Sequence, residues 1–167
     1  ILPWAYTGFD GSIHWREAVM FGDILTPDGK PYEGDSRGAL KRVLGRARKE
    51  IGIDDFKCGP ELEFFIFPSA EEAAPTDGGG YFFGGQHGGL RKEVQLLLHR
   101  MGIATEYDHH EAAPNQHEVD LRYLDAVDMA DTAMLFRYMV RKVCRMHGLH
   151  ATFMPKPVNG QNGSGMH

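Results

Sequence analysis

The segment GPELEFFIF, residues 59–67, constrains this chain more than any other stretch. Residues i and i+2 of a β-strand face the same way, so Glu61 and Glu63 stand side by side on an otherwise apolar strand. Buried neighbouring carboxylates repel each other and lose water unless a cation, a ring of donors or a raised pKa compensates them. A cation does so most completely, and we therefore predict a metal site on this strand.

An edge strand with one solvent-exposed face is the alternative, because a pair of glutamates costs little there. Phe65 and Phe67 continue the same face as the two glutamates and would then also be exposed to water. The metal site is therefore the interpretation that we favour for this strand.

The composition is typical of one soluble globular domain. The chain has 167 residues, 42% of them hydrophobic and 25% charged, which suffices for one core but not for two ordinary domains. The net charge of −5 argues against a nucleic-acid-binding protein, which is usually basic. Two distant cysteines, Cys58 and Cys144, without a membrane-length apolar run or a visible signal peptide, predict a cytoplasmic protein with no membrane partner.

Periodicity predicts helices and strands in alternation. The predicted helices run from a cap at Asp35 or Ser36 to Gly52, over 90–101, and over 125–147, each ending near a glycine. The predicted strands cover 18–25, 56–67, 103–111, 116–123 and 149–154, and residues 68–89 form a mobile loop. Residues 1–17 are an irregular lead-in. This order predicts an α/β or α+β sheet with helices on one face.

The run HHEAAPNQHE, residues 109–118, repeats carboxylate and imidazole on two strands joined by a turn at Pro114–Asn115. Antiparallel pairing brings Glu111 and Glu118 near each other across the hairpin. Several carboxylates with little histidine and no cysteine favour Mg²⁺ or Mn²⁺ over zinc. A histidine-rich surface hairpin is the alternative for this motif alone.

The segment NGSGMH, residues 162–167, presents backbone amides and a side-chain amide from a loop that glycine allows to approach a ligand closely. His167 can add a nitrogen ligand, although a plain turn is the commoner role of such a loop. The chain has no Walker A sequence and no GxGxxG, so any nucleotide site is built differently.

In this order, GPELEFFIF, HHEAAPNQHE, HGLHATFMPKP and NGSGMH resemble the glutamine synthetase family, most closely its bacterial and archaeal type I branch. The similarity covers residues 18–167, and PDGKPYEGDSR fits the entry to the family's catalytic domain. It implies an α+β fold, a partial catalytic domain whose mostly antiparallel curved sheet has helices on one face. Residues 18–167 would be that truncated domain, and residues 1–17 the end of the amino-terminal domain or a linker.

The resemblance implies a glutamate–ammonia ligase. ATP phosphorylates the γ-carboxylate of glutamate, and ammonia displaces phosphate from γ-glutamyl phosphate, with Mg²⁺ or Mn²⁺ as cofactors in a homo-oligomeric ring. Phosphoryl transfer depends mainly on positioning and charge neutralisation. The reaction therefore needs no protein nucleophile, and we assign no catalytic side chain.

Site roles follow from the matched motifs. The cation nearer glutamate and ammonia would be held by Glu63, Glu111 and Glu118. The cation between the nucleotide phosphates would be held by Glu61 and His167. The resemblance further implies that Asn162 and Gly163 contact glutamate, and that Glu106, Tyr81 and Tyr123 lie on the nucleotide side.

The chain departs from the family pattern at several positions. Asn115 stands where the family usually has glycine, and the chain stops before the family's later arginines, its last metal-ligand glutamate and its ammonia-side loop. The string Gly8–Ser12 resembles a substrate loop of the family. The family places that loop well upstream of its catalytic domain, whereas this string follows ILPW only a few residues before the entry to that domain. We therefore interpret the similarity as coincidence. We expect a piece of a larger protein that binds a cation weakly and is inactive alone. A glutamate–amine or polyamine ligase and a non-catalytic structural homologue are the alternatives.

Overall fold

The computed structural model describes residues 2–7, 13–82 and 85–167 and divides the chain into two compact units. The first unit holds the residues up to Cys58 together with Tyr123–Thr132, and the second holds Gly59–Arg122 and Ala133–His167. The elements in chain order are β1 (Leu2–Thr7), β2 (Ile13–Val19), α1 (Ser36–Ile51), β3 (Lys57–Cys58), β4 (Glu61–Phe67), α2 (Gly88–Arg100), β5 (Thr105–His110), β6 (Gln116–Leu121), β7 (Leu124–Asp125), α3 (Ala126–Met146) and β8 (His150–Thr152).

In the first unit, α1 begins and ends where its capping residues predict. The side chain of Asp35 accepts hydrogen bonds from the amides of Arg37 and Gly38, and Gly52 ends the helix with a left-handed φ of 70°. No residue of α1 is buried. The apolar period therefore predicted the helix correctly, whereas it did not predict how exposed the helix is in this unit.

The beginning of the chain differs from its prediction. Strands β1 and β2 pair antiparallel, so an irregular segment over residues 1–17 is wrong for the part that the structure describes. Strand-forming aromatic and β-branched residues in LPWAYT and IHWREAV explain the pairing. The strand predicted over 18–25 is also wrong, because β2 ends at Val19 and Leu25 makes only a single bridge to Pro31. Gly8–Ser12 lies outside the described residues.

The second unit is built on an antiparallel sheet with the strand order β5-β6-β4-β8. Because β4 lies between β6 and β8, the alternative that it is an edge strand is wrong. Phe64 packs edge-on against Phe136 of α3, with ring centroids 6.1 Å apart, and Arg91 of α2 contacts His117 of β6. Both contacts lie on the same face of the sheet, which confirms an α+β fold with helices on one face.

The carboxylates lie on the other face. By strand alternation Glu61, Glu63, Phe65 and Phe67 share this face of β4. Their cross-strand partners on β6 continue it, since Glu63 lies opposite Glu118, Glu61 opposite Asp120 and Phe65 opposite Gln116. Phe65 and Phe67 are buried against Ala113 and Val158. We call the side bearing the carboxylates the acidic face.

Two details of the predicted elements are wrong. The strand predicted over 56–67 is divided, because Pro60 has no amide to donate and β3 pairs instead with β7 in a separate two-stranded sheet. The helical period predicts Met134 and Tyr138 as buried positions of α3, but both are exposed and the neighbouring Phe136 and Met139 are buried. The apolar run AMLF leaves the orientation of the helix ambiguous in the sequence. Among the described residues, no helix is both long and apolar enough to cross a membrane.

The loop between β4 and α2 is anchored rather than free in its described middle part. The carboxamide oxygen of Asn115 accepts hydrogen bonds from the amides of Thr76 and Asp77, at 2.6 and 3.1 Å. Further along, the amide of Phe82 donates to the carbonyl oxygen of His110 at 3.0 Å. The loop is therefore fastened to the hairpin that carries the second motif.

Candidate active site

Backbone pairing brings the three sequence motifs together. Strands β4 and β6 pair directly, and the C-terminal segment lies along the first half of β4, where Leu62 bridges to Met166. The amide of Glu61 donates to the carbonyl of His167, and the amide of Glu63 donates to the carbonyl of Gly165. The C-terminal segment thus occupies the edge of β4 that β8 occupies further along the strand.

Three carboxylates converge on the acidic face. Ligand oxygens of Glu63 on β4, Glu111 just after β5 and Glu118 on β6 all lie within 4.8 Å of one another. Glu63 and Glu118 are buried, and Glu111 is partly exposed. Three carboxylate oxygens at this separation form a donor set that suits a hard divalent cation.

Neighbouring groups hold the Glu63 carboxylate in place. Its Oε2 atom accepts hydrogen bonds from the Gly165 amide, at 2.9 Å, and from the carboxamide of Gln116. Gln116 also donates to the carbonyl of Gly163, at 2.8 Å, so one carboxamide connects the strand pair to the C-terminal segment. A Cβ on Gly165 would lie 2.9 Å from Glu63 Oε1, so a larger residue would displace the carboxylate from this position.

His109 lies between two of the carboxylates. Its Nε2 is 3.2 Å from Glu118 Oε2 and its Nδ1 is 3.4 Å from Glu111 Oε1. The rings of Tyr81 and Phe82 lie 5.0 and 4.9 Å from the imidazole, measured between centroids. The anchored loop therefore contributes part of the wall around the acidic face.

His109 and Asp120 are candidate ligands that were not predicted from the sequence. Their ligand atoms and those of Glu118 lie within 4.8 Å of one another. Asp120 stands at i+2 from Glu118, so the alternation that paired Glu61 with Glu63 could have found it. His109 needs the register of β5 against β6, which places it opposite Glu118.

Proton affinities on this face are raised. Burial, followed by the carboxylates of Glu111 and Asp120, raises the pKa of Glu118 to about 9. Burial also raises the pKa of Asp120, and the charges of Glu61 and Glu106 add to that shift. Without a cation, Glu118 therefore retains a proton at neutral pH.

The remaining predicted ligand and substrate residues are mostly exposed. Glu61 and Glu106 are exposed, and His167 is exposed with its Nε2 3.6 Å from Glu63 Oε1. In the C-terminal segment, Asn162 is exposed and Gly163 is half-buried.

Two aromatic candidates have different settings. Tyr81 is largely exposed beside His109, and its pKa is raised by desolvation and then by nearby carboxylates. Tyr123 belongs to the first unit. Their nucleotide-side role stays a prediction.

Comparison with known proteins places the chain in a family. Residues 33–167 match the model for the glutamine synthetase catalytic domain. Glutamine synthetases of Staphylococcus epidermidis and Staphylococcus aureus are 45% and 44% identical to it, over 100% of this chain and 37% of each relative. The chain belongs to the glutamine synthetase family, and it spans 37% of the length of these curated relatives.

Solved structures agree with this assignment. The chain is similar to Plasmodium falciparum glutamine synthetase solved by cryo-electron microscopy, with a TM-score of 0.78 and 25% identity over 87% of this chain and 35% of that one. It is also similar to ligand-free GmaS, with a TM-score of 0.68 and 32% identity over 81% of this chain and 34% of that one. The α+β fold is therefore the one found in these structures.

Proposed function

We propose that this chain provides the cation-binding part of a glutamine synthetase active site, where ammonia is ligated to glutamate at the expense of ATP through γ-glutamyl phosphate. The observation that carries the proposal is the convergence of Glu63, Glu111 and Glu118 within 4.8 Å on the acidic face. Membership of the family supports the reaction. Because the chain spans 37% of its curated relatives, we propose that it holds only part of the site and is inactive alone.

The chemistry of the donors fits Mg²⁺ or Mn²⁺. Glu63, Glu111 and Glu118 would hold one cation, and Glu61 with His167 would hold a second. When bound, such cations neutralise phosphate charge and make the γ-phosphoryl group a better electrophile. Between the strands, the carboxamide of Gln116 orients Glu63 for this role.

Substrate contacts remain part of the same proposal. Asn162 and Gly163 would contact glutamate, and Glu106, Tyr81 and Tyr123 would lie on the nucleotide side. The position of Gly163 is supported by the hydrogen bond between its carbonyl and Gln116, which links it to Glu63. A cytoplasmic homo-oligomeric ring is the proposed assembly.

A calorimetric Mn²⁺ titration tests the cation site. We compare the chain with Glu63→Gln and with Glu71→Gln, which removes an exposed carboxylate from the loop outside the acidic face. Losing a ligand should weaken Mn²⁺ binding at least tenfold, a loss on the scale seen when even a supporting residue is removed. Circular dichroism checks that each variant is folded.

Equal Mn²⁺ affinity for the chain and its folded Glu63→Gln variant would overturn the site. The proposed inactivity is checked separately, by measuring phosphate release from ATP with glutamate and ammonium present. Steady release by the purified chain would show that it holds a complete site.

A further inference from the structure

We propose that the acidic face holds a further cation position, formed by His109, Glu118 and Asp120, with Glu118 shared with the Glu63–Glu111–Glu118 site. This inference rests on the proposed function, because it adds a neighbour to the cation site proposed there. It is distinct from the pair formed by Glu61 and His167.

Strand register brings the three ligands together. His109 on β5 lies directly opposite Glu118 on β6, with Nε2 and Oε2 3.2 Å apart. Asp120 follows two residues later on β6 and so shares the face of Glu118. One ligand atom from each of the three residues falls within 4.8 Å of the other two.

Two carboxylates of this cluster have a buried oxygen atom with no donor from the described residues around it. Glu118 is 4% exposed, and its Oε1 has no hydrogen-bond partner among the residues that the structure describes. The Oδ1 of Asp120 is buried and also lacks a partner within that part of the chain. Buried acceptors without a donor are unfavourable, and a cation between these oxygens would do for the two carboxylates what the proton on Glu118 does in the metal-free chain.

The imidazole of His109 is oriented as a metal ligand. Its Nδ1 lies 3.2 Å from the carbonyl oxygen of His110, which only accepts hydrogen bonds, so we assign the ring proton to Nδ1. In the neutral ring, the Nε2 lone pair then faces the Glu118 carboxylate. Metal-bound histidines usually donate their other ring N–H to a carbonyl or carboxylate in this way.

The donor set predicts the kind of ion. One imidazole nitrogen and two carboxylates suit Mn²⁺ better than Ca²⁺ or Mg²⁺, which prefer oxygen ligands alone. A carboxylate shared between two cations also reduces the repulsion between the ions. The rival arrangement is a protonated His109 that forms ion pairs with Glu111 and Glu118 and leaves no room for a second ion.

Pulsed electron paramagnetic resonance of bound Mn²⁺ distinguishes the two arrangements, because a ligating imidazole gives a ¹⁴N coupling. We use the His167→Ala variant, so that the exposed C-terminal histidine contributes nothing. The coupling should persist in His167→Ala and disappear in His167→Ala/His109→Gln. In His167→Ala/Asp120→Asn, one Mn²⁺ fewer should bind, whereas His167→Ala/Glu71→Gln should match His167→Ala.

The outcomes separate this inference from the proposed function. If folded His167→Ala binds Mn²⁺ without ¹⁴N coupling, the Glu63 site stands and the further position is wrong. If the folded chain binds no Mn²⁺ at millimolar concentration, both are wrong. Should His109→Gln prevent folding, the near-isosteric Asp120→Asn decides, and an unchanged number of bound ions with unchanged coupling overturns the inference.

Discussion

The carboxylate of Glu63 accepts a hydrogen bond of 2.9 Å from the backbone amide of Gly165, two residues before the last position of the chain. This contact joins the middle of the sheet to the C-terminal segment. It also makes the two glycines of that segment unequal. A Cβ on Gly165 would meet His167 Nε2 at 2.6 Å and Glu63 Oε1 at 2.9 Å, whereas a Cβ on Gly163 would meet the carbonyl oxygen of Pro155 at 2.4 Å.

Gly165→Ala and Gly163→Ala should therefore fail in different ways. In Gly165→Ala the ends of flexible side chains give way, so we expect Mn²⁺ affinity to fall about tenfold with little loss of stability. In Gly163→Ala a backbone atom blocks the methyl group, so we expect a loss of about 2 kcal/mol in the free energy of unfolding. Calorimetry and urea denaturation measure the two effects. Equal losses in both variants would contradict the distinction.

The raised pKa of Glu118 makes stability depend on pH. Between the ordinary pKa of 4.5 and about 9, the folded chain holds a proton that the unfolded chain has released, so metal-free stability falls as pH rises. Glu118→Gln should flatten this slope over that window. Because a cation binds the ionised form, Mn²⁺ binding at pH 7 should release a proton, which calorimetry in two buffers of different ionisation enthalpy detects. Binding with no proton release would contradict the protonated state.

His117 should make the free energy of unfolding depend on pH below about 6.5. The ring is fully buried, and burial followed by the charge of Arg91 lowers its pKa to about 2 from the usual 6.5. The unfolded chain gains a proton below pH 6.5 and the folded chain does not, so stability present above that pH is lost as pH falls. The slope is about 1.4 kcal/mol per pH unit. His117→Gln should remove this contribution in urea titrations between pH 4 and 7, whereas the exposed His167→Ala should retain it.

Asn115 should fasten the loop between β4 and α2 to the hairpin of β5 and β6, a role that we call a latch. It has a left-handed φ of 61°, and its carboxamide also donates to the Ile66 carbonyl at 2.7 Å and to Thr76 Oγ1 at 2.8 Å. Asn115→Gly keeps the backbone conformation and loses these bonds, which should cost about 2 kcal/mol. Asn115→Ala adds about 1 kcal/mol, because a Cβ disfavours this φ.

Hydrogen exchange of the Thr76 and Asp77 amides checks the latch. Both amides should exchange faster in each Asn115 variant, because each loses its acceptor. Unchanged exchange at these two amides, with stability still reduced, would mean that Asn115 matters only through its packing.

Local signals were sufficient for part of the structure. Helix α1 begins directly after Asp35 and ends directly before Gly52, as these capping residues predicted. The alternation of side chains along a strand correctly predicted that Glu61 and Glu63 share one face. Within α2, the helical period predicts Val94 and Leu98 on the inward face, and both are buried. These features depend on neighbours a few residues apart, which a single sequence displays.

Features that depend on distant residues could not be read in this way. The place of His109 against Glu118 is a matter of strand register, and the pairing of Leu62 with Met166 joins opposite ends of the second unit. The latch role of Asn115 depends on a loop 38 and 39 residues away. None of these three relations produces a periodic pattern in the sequence.

The acid-against-acid register of β4 and β6 affects how this sheet assembles. Two of its five residue pairs bring acidic side chains together, since Glu61 meets Asp120 and Glu63 meets Glu118, and such a pair opposes strand pairing when both members are ionised. The two strands are also far apart along the chain, because Gln116 and Glu63 are separated by 53 residues. The chain therefore loses the entropy of closing this loop before any residue pair between the strands forms. A divalent ion bound between these carboxylates would offset their repulsion, so the ion and the strand pairing would stabilise each other.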